Sequence, residues 1–348
     1  MSPSGKETKT ISKTRSSWMK GDVTLDIVAK IAGVSAITVS RAINKPEKVA
    51  AKTLEKIKQA IAQTGYVPNL LAGGLASRHS KLIAAIIPSI ANLVYAETIS
   101  LFSNRFREAG YQVILGDSGY PEVHEEELVR AILTRRPDGI LLTGVDHSPV
   151  CKSLLLSAHI PIVETWDLTP SPLDIVVGFN HTKIGQEVAE FIVDNGYRRV
   201  AFVTADDARA FIRQHSTQET LIKHGVTDIF TISVPAPTSM ELGRLGAKDL
   251  VEKGFTSGVI FCSSDTLAQG VLAELQSRNI AVPEDVGIIG FGDQVFAGFT
   301  NPPLTTVRID RKRIGQEAVD ALLARLSDQP VKSKIIDVGF KIIKRETT

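Results

Sequence analysis

The sequence predicts an α/β body of two doubly wound parallel-sheet subdomains, preceded by an all-α helix-turn-helix head. Three observations predict it. From residue 81 on, apolar runs of strand length alternate with amphipathic stretches of helix length. Such alternation demands parallel sheets covered by helices on both faces. Ten strand-like runs suit two such sheets better than one. The first 80 residues instead hold three short helix patterns, with thirteen Lys/Arg against five Asp/Glu, whereas the rest of the chain carries 27 against 33. A basic head on a mildly acidic body is the electrostatic footprint of a phosphate-binding module.

The chain of 348 residues is long enough for two or three domains. It contains no apolar run near the length a membrane span needs. Residues 1–21 are polar and rich in Ser, Thr and Lys; they read as a disordered basic arm without the apolar stretch of a secretory signal. Cys151 and Cys262 each lie in an apolar pattern and read as buried free thiols in a reducing cytoplasm. No Cys/His cluster has zinc spacing, so no metal or other cofactor is expected.

Residues 22–67 form the head. Thr24 stands where an N-cap belongs, before Leu25–Ala32, whose apolar face is read as Ile27, Val28 and Ile31. Gly33 ends that helix in a left-handed cap. Ser35 caps a second helix, Ala36–Ile43, with Val34, Val39 and Ile43 turned inward. The short turn Gly33-Val34-Ser35 is the helix-turn-helix pattern. A third helix, about 51–64, presents Leu54, Ile57 and Ile61 and stops at Gly65 before Pro68. The second helix is the one expected to enter a major groove. Arg41 can bond bidentately to a guanine, while Ala36 and Ile37 can touch a thymine methyl. Ser35, Thr38, Ser40 and Asn44 can reach phosphates, as can Thr24 at the first helix start.

The stretch from Val23 to Asn44, with Ala29-Lys30-Ile31-Ala32-Gly33-Val34-Ser35 at its centre, resembles the head of the LacI family of bacterial regulators. Gly65 to Ala76 resembles that family's hinge, here residues 68–80. The similarity continues to about residue 343. Ile86-Ile87-Pro88-Ser89, Val163-Glu164-Thr165-Trp166-Asp167 and Val177-Gly178-Phe179 look closest to regulators of gluconate and 2-ketogluconate use. The resemblance implies a cytoplasmic, nucleoid-associated repressor with a near-palindromic DNA operator. It implies a homodimer, with a tetramer as the alternative. In the hinge it implies a leucine wedged into the minor groove, here Leu75, with Gly73 and Gly74 weakening the hinge helix.

Residues 81–348 form the body. Strands are expected at 82–88, 111–117, 139–144, 161–167, 174–180, 198–205, 228–234, 258–265, 285–293 and 304–309. Helices are expected at 96–109, 122–135, 185–195, 242–253, 268–278 and 315–327. Ile184–Ala189 echoes Ile314–Val319, which fits a duplication and fits equally two helix starts that need a small residue for packing. In doubly wound folds ligands bind beyond the carboxyl ends of the strands. The loops there are 88–95, 144–149, 166–167, 263–265 and 290–293.

The resemblance implies a periplasmic-binding-protein-like clamp for a sugar, with Tyr95, Asp146 and Arg213 in the pocket. It places Ser264 where the family often has Asn, and Trp166 as an apolar wall. Gly292 stands where members that bind neutral sugars often carry Asp. With Arg213, and Arg209 or His147 nearby, that change favours an acidic effector, a sugar acid. A backbone requirement for Gly292 is the competing explanation. Asp265 is expected to cap the following helix. The family's Gly three residues after the arginine is Ser216 here. Gly290-Phe291-Gly292 starts like a dinucleotide fingerprint, but Val295 replaces its third glycine. No other catalytic motif stands out, and an enzyme has no use for the head, so a non-enzyme is expected.

Overall fold

The computed structural model describes residues 23–67, 79–120 and 122–348. The chain divides into two compact units, residues 1–78 and 79–348.

The head is built from α1 (Leu25–Ala32), α2 (Ala36–Asn44) and α3 (Ala51–Thr64). Gly33 and Gly65 end α1 and α3 at φ +68° and +67°, in the left-handed region where a Cβ is penalised. Val28, Ala29, Ala32, Val39, Ala42, Ile57 and Ala60 form the core. The face of α1 is therefore not the expected one: Ile27 and Ile31 are 44% and 47% exposed. Stripes through 27/28/31 and 28/29/32 both satisfy the helical period. The second one wins because its alanines let α2 and α3 approach closely. Thr24 occupies the N-cap position in extended conformation, but its side chain makes no capping hydrogen bond. Ser35 does cap α2, accepting from the Thr38 N–H at 3.3 Å.

The body contains two six-stranded sheets. The first holds β1 (Leu82–Ile87), β2 (Gln112–Asp117), β3 (Gly139–Thr143), β4 (Ile162–Thr165), β5 (Ile175–Gly178) and β11 (Ile335–Asp337), in the order β11-β5-β4-β3-β1-β2. The second holds β6 (Arg199–Ala205), β7 (Asp228–Val234), β8 (Gly258–Cys262), β9 (Val286–Gly292), β10 (Thr305–Ile309) and β12 (Phe340–Ile343), in the order β12-β10-β9-β8-β6-β7. All pairings are parallel except β12 on β10. Strands such as Leu82-Ile83-Ala84-Ala85-Ile86-Ile87 are apolar throughout because both faces are covered by helices. In each sheet the chain reverses direction of winding once, between β1 and β3 and between β6 and β8. Those are the switch points at which doubly wound folds bind ligands.

The covering helices are α4 (Ala96–Glu108), α5 (Glu122–Leu133), α6 (Pro149–Ser157), α7 (His181–Asp194), α8 (Ala208–Lys223), α9 (Met240–Glu252), α10 (Asp265–Ser277) and α11 (Arg311–Leu326). Two were not anticipated, α6 and α8. The buried side of α8 consists of Ala210, Arg213, Ser216, Thr217 and Leu221, so it has no apolar period to read. Helices α7 and α10 begin earlier than expected, where the Asn180 and Ser264 side chains accept from the Lys183 and Leu267 N–H groups. The strands β11 and β12 were also missed; each is short and only part-buried. The two echoing glycines both serve close packing. A Cβ on Gly185 would lie 2.5 Å from the Arg213 carbonyl oxygen in α8, and one on Gly315 would lie 2.9 Å from the Leu101 side chain in α4. Among the described residues no helix is long and apolar enough to cross a membrane.

Candidate functional site

Loops from both switch points line one cleft in the body. Its smaller part, about 560 Å³, is bounded by Tyr95, Trp166, Phe179, His181, Arg213 and Phe291, with Ser264 and Gln294 at its margin. Its wider part, about 2200 Å³, includes Pro88, Gly144, Asp146, Asp167, Ala205 and Phe211. Tyr120, Asp207 and Arg209 belong to both. The aromatic walls support each other edge to face: Tyr95 on Trp166 at 4.9 Å and Trp166 on Phe179 at 6.1 Å between ring centroids. Trp166 holds this position at φ +71°, an uncommon conformation for a bulky residue that marks a site under local constraint.

Two arginines from the first turns of α8 enter this aromatic box. Arg213 is only 5% exposed and its guanidinium lies 3.8 Å from the centre of the Phe291 ring. Its Nη1 donates to His181 Nδ1 at 2.9 Å and its Nη2 to the Ser263 carbonyl at 3.2 Å. Its Nε is buried and has no hydrogen-bond partner among the described residues. Burial depresses its pKa to about 10, and Arg209 adds to the effect. Arg209 donates from Nη2 to the Tyr95 hydroxyl at 3.0 Å. Burial works against its charge too, but Tyr95, Asp207 and Asp167 outweigh that and raise its pKa. Among the described residues, neither guanidinium has a carboxylate oxygen within ion-pair distance. Asp207 is committed to the helix start, accepting from the Ala210 N–H at 2.9 Å.

His181 completes the arrangement. Its Nε2 lies 3.0 Å from the Trp166 carbonyl oxygen, which can only accept, so Nε2 carries the proton and Nδ1 accepts from Arg213. Burial, then Arg213 and Arg209, hold its pKa well below the ordinary value, and the ring is neutral. Burial also raises the Asp167 carboxyl. A pocket with aromatic walls and two guanidiniums, of which burial disfavours the Arg213 charge, suits a polar ligand carrying negative charge near Arg213.

Tyr95, Trp166, Arg213 and Ser264 line the smaller part of the cleft, and Asp146 the wider part. His147 does not line it. Its ring is buried, with Nδ1 2.9 Å from both carboxylate oxygens of Glu125. Gly292 lies behind the wall, where a Cβ would meet Val94 at 3.3 Å; its φ of +120° makes glycine a backbone requirement. Asp265 neither caps α10 nor reaches the cleft. Ser264 is the cap, and the fully buried Asp265 accepts from the Gln294 N–H at 2.6 Å and the Thr306 hydroxyl at 2.5 Å. His181 was missed by sequence reasoning, although its place after the β5 apolar run and the Asn180 cap was a usable signal.

In the head, Ile37 is 71% exposed and Arg41 is exposed one turn later on the same helix. Ala36 is half-buried against the head core. The Ser35 and Thr38 hydroxyls bond each other at 2.9 Å, and Asn44 Nδ2 donates to the Ser40 carbonyl at 2.9 Å. Thr24, Lys30, Lys45, Lys48, Lys52, Lys56 and Lys58 are exposed as well. Leu75 lies outside the described residues.

A family model described as bacterial regulatory proteins, lacI family, matches residues 24–69, and one described as a periplasmic binding protein-like domain matches residues 189–348. The HTH-type transcriptional regulator GntR of Pseudomonas aeruginosa is 36% identical over 331 residues, which cover 94% of this chain and 96% of that protein. GntR of Escherichia coli K12 is 30% identical, over 91% of this chain and 96% of its own length. A solved LacI-family transcriptional regulator from Silicibacter pomeroyi matches with a TM-score of 0.88 at 31% identity, covering 93% of this chain and 99% of that one.

Proposed function

The chain belongs to the LacI family of bacterial regulatory proteins and is a DNA-binding transcriptional repressor, and we propose that a sugar acid of the gluconate or 2-ketogluconate class releases it from its operator. The observation that carries this reading is the pair Arg209 and Arg213, two guanidiniums without a carboxylate partner inside an aromatic cleft. Burial disfavours the Arg213 charge, and a ligand carboxylate beside it removes that cost. Trp166, Tyr95 and Phe291 offer apolar faces for a carbon skeleton, while Asp146 and Ser264 offer groups for hydroxyls.

The mechanism follows from two subdomains meeting at a cleft. Ligand bound to both switch points favours the closed arrangement. A homodimer presents two heads to a near-palindromic operator, Arg41 and Ile37 read base edges, and the hinge pair around Leu75 bends the DNA. Closure shifts the hinges apart and lowers operator affinity. Operator binding must then lower effector affinity by the same factor. Such a protein works in the bacterial cytoplasm, beside the catabolic genes it silences.

The test is fluorescence anisotropy with a duplex selected from a random library by the full-length protein. Gluconate or 2-ketogluconate should raise the dissociation constant, and glucose should not. Unchanged affinity across the sugar acids, together with no thermal stabilisation by them, overturns the effector class. A ligand at 100 times its Kd adds about 2.7 kcal/mol of stability, which a thermal-shift measurement resolves.

A further inference from the structure

Glu125 on α5, His147 in the loop after β3 and Cys151 in the first turn of α6 place one donor atom each within 4.8 Å of one another. The set combines a carboxylate oxygen, an imidazole nitrogen and a thiol. His147 Nδ1 is 2.9 Å from both Glu125 oxygens. The backbone around it is fixed, because Ser148 caps α6 by accepting from the Cys151 N–H at 3.1 Å and donates to Glu126.

A plain Glu125–His147 ion pair accounts for one contact here but leaves two features over. His147 is 4% exposed, yet among the described residues its Nε2 has no hydrogen-bond partner, and it faces Glu164 Oε1 at 3.7 Å. Glu164 is itself held by β4 and by the Leu173 N–H at 2.7 Å. The Cys151 thiol is also buried and stands within reach of both the Glu125 carboxylate and the His147 ring.

We propose that Glu125, His147 and Cys151 bind a divalent cation of borderline softness, such as zinc, in the first subdomain beside the wide part of the cleft. Mixed N, O and S donors select this class over magnesium or calcium. Glu164 is the positioning residue: with the ion on Nδ1, Nε2 carries the proton and is aimed at Glu164, the carboxylate–histidine–metal relation that orients a ligand. Binding deprotonates Cys151. The proton goes to solvent, the thiolate pair forms the sulfur–metal bond, and no electron is transferred. The fourth position falls to water, as in zinc sites with three protein ligands. Sequence spacing hides the set because Glu125 lies in a different helix from Cys151. The site is independent of the effector reading, which uses other residues.

The test uses the full-length protein stripped with EDTA and titrated with Co²⁺, a spectroscopic substitute for zinc. One equivalent should produce a thiolate-to-cobalt charge-transfer band in the near ultraviolet, with proton release, and zinc should displace it. Cys151→Ser should abolish the band, and Cys262→Ser should keep it. Glu164→Gln should weaken binding about 10- to 100-fold without changing the position of the band. Absence of a saturable band in the unaltered protein overturns the proposal, as does a band that survives Cys151→Ser.

Discussion

Replacing Arg213 by Met separates its two tasks, anion recognition and packing. Two of its donors are spent inside the protein, on His181 and on the Ser263 carbonyl, and Nε has no partner among the described residues. Nη1 and Nη2 each keep a second proton, so a ligand carboxylate in the cleft would gain one charge-assisted hydrogen bond from the guanidinium, which contributes about 1.5–3 kcal/mol. Its loss should weaken gluconate binding by about 10- to 150-fold. A neutral hydroxyl acceptor at the same place gains about half as much, so a neutral sugar should lose affinity by about 4- to 13-fold. Stability should fall by about 1–3 kcal/mol, because the buried His181 Nδ1 and the Ser263 carbonyl lose their donor, a loss offset in part by the methionine side chain lying against the Phe291 ring. Isothermal titration calorimetry of both variants with gluconate and with glucose, at one ionic strength, measures the contrast. Equal losses for the two ligands, or no loss for gluconate, would refute the placement of the carboxylate at Arg213.

Other consequences can be measured independently. Burial raises the Asp265 carboxyl to about 6, so stability linked to its protonated form is fully present below about pH 4 and lost as pH rises through 6, to a total of about 3 kcal/mol. Urea unfolding at pH 4.5 and pH 7 should show Asp265→Asn lacking that slope; parallel profiles would count against it. Gly185→Ala forces a methyl against the Arg213 and Thr217 backbone and should cost about 1–3 kcal/mol, read as a lower Tm, together with weaker effector binding. An unchanged Tm would show that α7 and α8 are not in tight contact. In the head, Arg41→Ala should lose about 1–3 kcal/mol of discrimination at one base pair, measured by anisotropy on single-substitution duplexes. Ile37→Ala should weaken operator binding while leaving the Tm of the head unaltered, since the side chain is mostly outside the core.

Much of the fold was legible because it is local. Parallel strands covered by helices announce themselves as apolar runs, and ten of the twelve strands among the described residues lie in such runs with at least one buried position in each. What escaped depends on contacts between distant segments. Helix α8 buries Arg213, Ser216 and Thr217, polar groups satisfied by His181, the Thr182 carbonyl and its own preceding turn; nothing in its sequence shows that these partners exist. Strand β11 is exposed at its ends and gains its place only from β5, which precedes it by more than 150 residues. The same holds at the site. Arg213 and Tyr95 were readable by resemblance, but the neutral His181 between Trp166 and Arg213 follows from three segments meeting. His147 looked like a cleft residue because it adjoins Asp146, and the loop turns the two in different directions.

The path of the chain between the two sheets has a further implication. Strands β1–β5 lie in one and β6–β10 in the other, but β11 returns to the first and β12 to the second. Helix α11, coming after β10, packs on β4 and β5 of the first sheet, while α7, coming after β5, packs on α8. Neither lobe is thus encoded by one uninterrupted stretch, and three covalent strands of backbone join them. A gene fragment ending after β10 would leave the first lobe without its edge strand and without α11. A single nick at one crossing would leave the lobes tied by the other two. The lobes can pivot about this triple tether, but they cannot drift apart, be inherited separately or be trimmed one at a time.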